Sequence, residues 1–554
     1  MDYRKHIARL IGNDSVTESD IVQAAEGHGD YALPCFKYAR DLHKAPQVIA
    51  ADFAAAMKND PIVSRTEVAG GYLNFYLDRV AVVSDVIGDR ASGGGIAAVR
   101  KANAGKTVCM DYSSINIAKP FHIGHLMSTA IGGSLYRIYK YIGWNPVGIN
   151  HLGDWGTQFG KLLAAYNEWG DKSRPLTLGD MLSLYVRFTE ESERDPGLAE
   201  RGRTEFLKIE RGEPDAVATY ELFKSTTLAE VNKVYDRLGI KFDSYNGEAF
   251  YNDKMQPVVD ELKQKGLTEV SDGALIVKLD DYGMPPCLIT RSDGASLYAT
   301  RDLAAADYRA KTYGFDKSLY IVATQQNLHF SQVFKVLELM GREWAKDLVH
   351  VKFGMVSYEG QPLSTRHGHV VFLSDVIENT VAKARAIIEE KNPDLPDKDA
   401  TAEAVGVGAV MFFALGTQRI KDVDFNYDKV LSFEGETAPY IQYTHARCRS
   451  VLAKADGIGA ADYSLLTDDD SYAVIRLLSS FDDVIVEAAE KYEPSIIARY
   501  LIDLAQAYNR FYIGSRIITD DKPLTAARLL LTKTVADAIR TGLDLLLIES
   551  PEKM

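Results

Sequence analysis

The sequence predicts a multi-part α/β protein. A doubly wound parallel sheet, interrupted by a long insertion, lies between a small N-terminal α/β unit and an all-α C-terminal region. Three observations carry this. First, Thr107–Tyr112 is a short, mostly apolar run, followed by a polar turn, a helix-spaced segment with Leu135, Ile138, Tyr139 and Ile142, a stop at Gly143 and a second run at Val147–Ile149. Strand, turn, helix and strand in that order form a βαβ unit. Second, Leu319–Ala323 and the helical pattern His329–Met340 repeat the theme. Third, beyond about Asp375 the pattern is helical, ending with Ile497, Leu501, Leu504, Tyr508 and Phe511 on one face.

Taken in order, residues 1–90 read as a small α/β unit, with a helix from Ala45 to Lys58 and an apolar stretch, Thr66–Leu77, broken by Gly70-Gly71. Residues 91–105, with three consecutive glycines, read as a linker. Residues 106–372 form the sheet-bearing core, with an insertion at about 161–286. Residues 373–425 are a helical junction and 426–554 a helical domain. No internal repeat or low-complexity tract interrupts this order.

The chain has 554 residues, 46% hydrophobic and 25% charged, enough for three or four domains at about 150 residues each. The net charge is -14, so any nucleic-acid contact must come from a local basic surface. Cys35, Cys109, Cys287 and Cys448 stand apart with no CxxC, which argues against a structural zinc site or a disulfide framework and fits a reducing compartment. The first residues, MDYRKHIARLIGND, contain no apolar signal segment. No run reaches the ~18 apolar residues of a membrane span. The expected address is the cytoplasm.

Phe121-His-Ile-Gly-His125 falls just after a strand and just where a helix starts. Ligands on open α/β sheets bind beyond the carboxyl ends of strands, and helix N-termini attract phosphate. Glycine lets a flat base approach the backbone, and imidazole N–H groups can donate to phosphate oxygens. Two ordinary turn histidines would look the same; a metal site would need a further ligand, and none is near in sequence. About 240 residues on, Gly360-Gln-Pro-Leu-Ser-Thr-Arg-His-Gly368 follows the apolar stretch Val349–Val356 and reads as a mobile loop or a solvated turn. Ser364, Thr365, Arg366 and His367 suit a triphosphate. Gly105-Lys-Thr107 imitates the end of a P-loop, but position 100 is arginine and the segment precedes its strand, so it is set aside. In Ser296-Leu-Tyr-Ala-Thr-Arg-Asp302, Tyr298 and Asp302 share a helical face. A carboxylate beside a phenol suits a guanidinium; a surface cap with an Arg301–Asp302 charge pair is the plainer alternative.

Together these segments resemble the arginyl-tRNA synthetases, a class I family. SSINIAKPFHIGHL (113–126), HLGDWGTQFG (151–160), SDGASLYATRDLAAADYR (292–309), TQQNLHF (324–330) and GETAPYIQYTHAR (435–447) are similar to that family's signatures in the same order, across almost the whole chain. The resemblance implies a Rossmann-like class I catalytic core with an insertion, an N-terminal domain that touches the outer corner of tRNA, and an all-α C-terminal anticodon-binding bundle. It implies ATP with Mg2+ as co-substrate, L-arginine and its tRNA as partners, no tightly bound cofactor, no resident metal, no membrane, a monomer, and a first step that needs tRNA bound.

By the same resemblance, His122, Gly124 and His125 face ATP, and Ser364, Thr365 and Arg366 close over its phosphates. Ser114, Asn116, His125, Asn150, Tyr298, Asp302 and Gln326 hold L-arginine. The second class I motif, usually KMSKS, reads Pro362-Leu-Ser-Thr-Arg366 here, with Thr365 in place of a lysine. Family members lacking that lysine carry one just before the first motif; Lys119 occupies that position and is the expected catalytic cation beside His122 and His125, helped by Arg366.

In the C-terminal region Tyr440, Tyr443, Arg447, Arg449, Tyr492, Arg499, Tyr508, Arg510 and Tyr512 combine the aromatic and basic character that unpaired bases require. Tyr508 lies on the apolar stripe and is expected in the core. Three rivals stand beside this reading: an adenylate-forming relative, which would lack the helical domain; a catalytically dead RNA-binding protein, against which the intact motif residues argue; and a synthetase for another amino acid, against which Tyr298 and Asp302 argue.

Overall fold

The computed structural model describes residues 3–25, 27–57, 59–92, 95–119, 121–291, 298–362 and 371–554. Ser364, Thr365, Arg366 and His367 lie outside the described residues.

The apolar run after the predicted linker forms Thr107–Asp111 (β1), with four of its five residues buried. Ile123–His125 makes one tight turn, and Leu126–Tyr141 (α1) continues it. The close packing of α1 on the strand depends on Gly132, where a Cβ would stand 2.2 Å from the Tyr112 ring. Gly143 ends the segment at φ +94, a conformation open to glycine. Asn145–Ile149 (β2) then runs parallel to β1. Pro146 offers no N–H, which fits the edge position of β2.

After the insertion come Tyr298–Tyr313 (α2), Lys317–Ala323 (β3), Asn327–Leu339 (α3) and Leu348–Phe353 (β4). The sheet order is β4-β3-β1-β2, all parallel. The chain departs from β1 to β2 on one side and returns to β3 on the other. A crevice therefore opens at the carboxyl ends of β1 and β3, the switch point of a doubly wound sheet. Cys109, Leu303, Tyr320, Phe330 and Leu337 pack against one another in the core between sheet and helices. The apolar stretch read at 349–356 is two strands, because β4 ends at Phe353 and Val356–Tyr358 pairs instead with Val423–Phe425.

The insertion is mixed: helices Thr157–Trp169, Leu178–Arg194, Pro196–Glu210, Pro214–Arg237 and Met255–Gln264 precede an antiparallel sheet of Glu269–Ser271, Ala274–Val277 and Cys287–Thr290.

The chain divides into two units, residues 1–99, 444–483 and 503–539 in one, and 100–443, 484–502 and 540–554 in the other. The first unit joins an antiparallel N-terminal sheet to C-terminal helical segments. Asp30 accepts the Leu77 N–H at 2.8 Å and the Tyr472 hydroxyl at 2.9 Å, and Arg90 pairs with Asp482 at 3.0 Å. The stretch expected as a linker carries the end of one helix, Arg79–Ser92, and a second, Gly95–Asn103. The residues after the glycines, IAAVRKA, are good helix formers, and their preference outweighs the glycine signal. Tyr508 is fully buried, as its place on the apolar stripe required.

Candidate active site

Two adjoining cavities, of about 420 Å³ and about 360 Å³, open where β1, β2, β3 and β4 end. Both are lined by Ser114, Val322 and Gln326.

The first cavity is bordered by His122, Gly124 and His125. The loop that delivers them bends sharply. Ser113, Ser114 and Ala118 have φ of +68, +45 and +59, an uncommon region for residues with a Cβ, and such strain concentrates at functional sites. The Gly124 N–H donates to His122 Nδ1 at 3.1 Å, and the His122 N–H donates to His125 Nδ1 at 3.2 Å. A backbone N–H only donates, so in each neutral ring the proton resides on Nε2. The rings lie 3.9 Å apart. Burial lowers the His122 pKa. Burial, then the neighbouring His122, and also the charge of Lys119, bring His125 down to about 3. Both imidazoles are therefore neutral donors at pH 7, with their backbone bonds holding the ring planes in place.

The second cavity gathers Ser114, Asn116, Tyr298, Asp302 and Gln326, five residues expected around a guanidinium substrate. Tyr298 opens α2 and is 67% exposed. Asp302, one turn later, receives His329 Nε2 from α3 at 2.6 Å. Three placements differ from expectation. His125 borders the first cavity and not the second. Asn150 borders neither: it is fully buried, and its Nδ2 donates to the Tyr235 hydroxyl at 3.0 Å. Tyr235 from helix Pro214–Arg237 holds the Nδ2, while the buried Oδ1 has no hydrogen-bond partner among the described residues. Lys119 is exposed and borders neither cavity.

Asp111, His151, Glu248 and His329 of the second cavity were not singled out from sequence, and Arg301 was read only as a surface partner of Asp302. Glu248 comes from the insertion, where an isolated acid between helices carries no signal of its own. Burial raises it, and despite the opposing Arg301 charge it titrates at about 7. Asp111 sits at the end of β1. Burial pushes it up, but the charges of Arg309 and His151 and the Ser114 hydroxyl outweigh that, and its pKa is lowered. Burial lowers His151, against the opposing pull of Asp111. Asp111 is thus matched by Arg309, Arg301 stands beside Glu248, and Asp302 is met by His329.

Among proteins of known family, residues 94–427 match the family model described as tRNA synthetases class I (R), catalytic domain. Residues 441–554 match a DALR anticodon binding domain, and residues 3–77 an arginyl tRNA synthetase N terminal domain. The chain is 47% identical over 564 residues to an arginine–tRNA ligase of Clostridium botulinum (strain Alaska E43 / Type E3), covering 100% of both. It is 48% identical over 530 residues to one of Halothermothrix orenii, covering 95% of this chain and 94% of the relative. In three dimensions it resembles the arginyl-tRNA synthetase of Thermus thermophilus, with a TM-score of 0.84 at 28% identity and coverage of 100% and 99%. A parallel sheet with its crevice at the switch point, a paired-imidazole corner and full-length likeness in three successive segments lead to one conclusion: the chain belongs to the class I arginyl-tRNA synthetase family.

Proposed function

We propose that this chain is an arginine–tRNA ligase that activates L-arginine with ATP and passes it to the 3'-terminal adenosine of its tRNA. The observation that carries the reading is the adjacency of the two cavities: a neutral imidazole pair beside one, the carboxylates of Asp302 and Glu248 in the other, and Ser114 and Gln326 on the boundary. An arginine whose guanidinium lies between Asp302 and Glu248 would direct its carboxylate toward the first cavity.

In the first step an arginine carboxylate oxygen attacks the α-phosphorus of ATP, the bond to pyrophosphate breaks, and arginyl-adenylate remains. His122 and His125 donate Nε2–H bonds to phosphate oxygens as charge builds there, already oriented by their backbone bonds. Lys119 supplies positive charge from the loop before them, and Ser364, Thr365 and Arg366 close over the phosphates. In the second step the terminal ribose hydroxyl attacks the activated carbonyl and AMP leaves. Gly124 leaves space for the base; Ser114, Asn116, Tyr298 and Gln326 orient the amino acid.

Magnesium enters on this reading as the partner of ATP. The helical region from 426 would read the anticodon and the N-terminal unit the outer corner of tRNA. The enzyme would act as a cytoplasmic monomer; no helix among the described residues is long and apolar enough to cross a membrane.

Aminoacylation of bulk tRNA with each amino acid in turn is the test. Arginine alone should be charged, and ATP–pyrophosphate exchange should need tRNA. Charging of another amino acid overturns the assignment; rapid exchange without tRNA overturns the tRNA requirement.

A further inference from the structure

Arg301 precedes Asp302 in α2, and its side chain borders the second cavity. Its Nη1 stands 3.6 Å from Glu248 Oε2, with the two side chains 11% and 14% exposed. At that separation the pair is held by charge rather than by a hydrogen bond. The Arg301 Nε is buried and has no hydrogen-bond partner among the described residues.

The groups facing Glu248 can be set out element by element. From α2 come Arg301 and Asp302. From the loop after β2 come Asp154 and the Trp155 N–H, which donates to the Glu248 carboxylate. Asp154 is bound at 2.8 Å by Lys224 of helix Pro214–Arg237. His329 of α3 is engaged by Asp302, and Asp111 at the end of β1 by Arg309, which also reaches His151 at 3.3 Å. Lys224 and Arg309 thus each have their own acid, Asp302 has His329, and Arg301 stands with Glu248. A buried carboxylate flanked by two others takes up a proton unless a cation holds its charge.

We propose that Arg301 is a positioning residue of the arginine subsite: beside Glu248 it keeps that carboxylate ionised and aimed into the cavity, ready to receive the substrate's guanidinium together with Asp302. This rests on reading the second cavity as the arginine subsite. A protonated Glu248 would offer a neutral carboxyl and lose its charge-assisted bond to the substrate.

The direction of the pH effect follows. Glu248 titrates at about 7 with Arg301 in place, so it is ionised above that pH and protonated below it. Loss of the cation moves this boundary upward. Arginine capture should therefore fail from the acid side at a higher pH, while at alkaline pH the carboxylate is ionised with or without Arg301.

The test uses the full-length enzyme with tRNA and compares Arg301→Gln and Arg301→Lys with the parent from pH 6 to 9.5. Arg301→Gln should move the acid limb of kcat/KM for arginine up by about one pH unit, which is about a fivefold loss at pH 7. The loss should vanish near pH 9, KM for ATP should stay within about twofold, and Arg301→Lys should restore the limb. A loss equal at all pH values, a rise in KM for ATP to match, or an unmoved limb in both variants overturns the proposal. If Arg301→Gln fails to fold, an Arg301→Lys limb displaced as far as about one unit overturns it as well. Failure of the parent to charge arginine at any pH would instead strike the reading of the subsite.

Discussion

Arg309 places Nη2 2.7 Å from Asp111 Oδ2 with its own side chain 1% exposed, and Asp111 accepts the Ser114 hydroxyl at the same distance. A charge pair carried by α2 and β1 thus underlies the boundary between the two cavities. Replacing Arg309 by Met leaves a buried carboxylate without a cation. We expect a loss of roughly 3–5 kcal/mol in the stability of the catalytic unit. Thermal unfolding should show it, and the double change Arg309→Met with Asp111→Asn should recover part of the loss. An unchanged melting temperature in the single variant refutes the account.

His125 is held by its Nδ1 and is neutral at pH 7, which suits the donor role proposed for it. His125→Ala should lower tRNA-dependent ATP–pyrophosphate exchange by about 100-fold to 1000-fold, as removal of an oriented donor does. Because His125 titrates at about 3, it contributes no acid limb to the rate near neutrality. Its folded pKa lies below the unfolded value, so the unfolded chain binds the extra proton first. Stability from this group is complete above about pH 6.5 and declines as the pH falls toward 3. A folded enzyme whose His125 titrates near 6.5 by NMR contradicts this.

Lys119 is exposed in the loop before the imidazole pair, and its charge reaches His125. Lys119→Ala should reduce the activation rate by roughly 100-fold or more, since no neutral side chain offsets triphosphate charge. Pre-steady-state formation of arginyl-adenylate is the measurement. An effect below about threefold removes this role.

His329 holds Asp302 through the 2.6 Å contact between α3 and α2. His329→Leu frees the carboxylate to turn from the cavity. KM for arginine should rise about 10-fold, the value of one hydrogen bond to a charged group, while KM for ATP is unaffected. Equal increases in both constants point to general damage instead.

Much of this protein was legible before any coordinates. Short apolar runs located β1, β2 and β3, and helical spacing located α1 and α3, because buried strands and helix faces are written in a few neighbouring positions. Misreadings arose where two local preferences competed. The glycine run before β1 suggested a linker, yet IAAVRKA made a helix. The apolar stretch Val349–Val356 carried no sign of a break, but at Gly354 a Cβ would stand 2.5 Å from the Lys421 carbonyl oxygen, and the chain turns to a new partner there.

By itself the sequence determined the order of elements, the imidazole pair at a helix start and the acid–phenol pair on one helical face, all settled by contacts within a few residues. The tertiary structure alone decided that Glu248 and Arg301, 53 residues apart, share a cavity, that Arg309 lies under Asp111, and that Asn150 turns to Tyr235 rather than outward. The reason is that charge pairing depends on distance in space, and separations along the chain do not encode which distant side chains folding will bring within 4 Å.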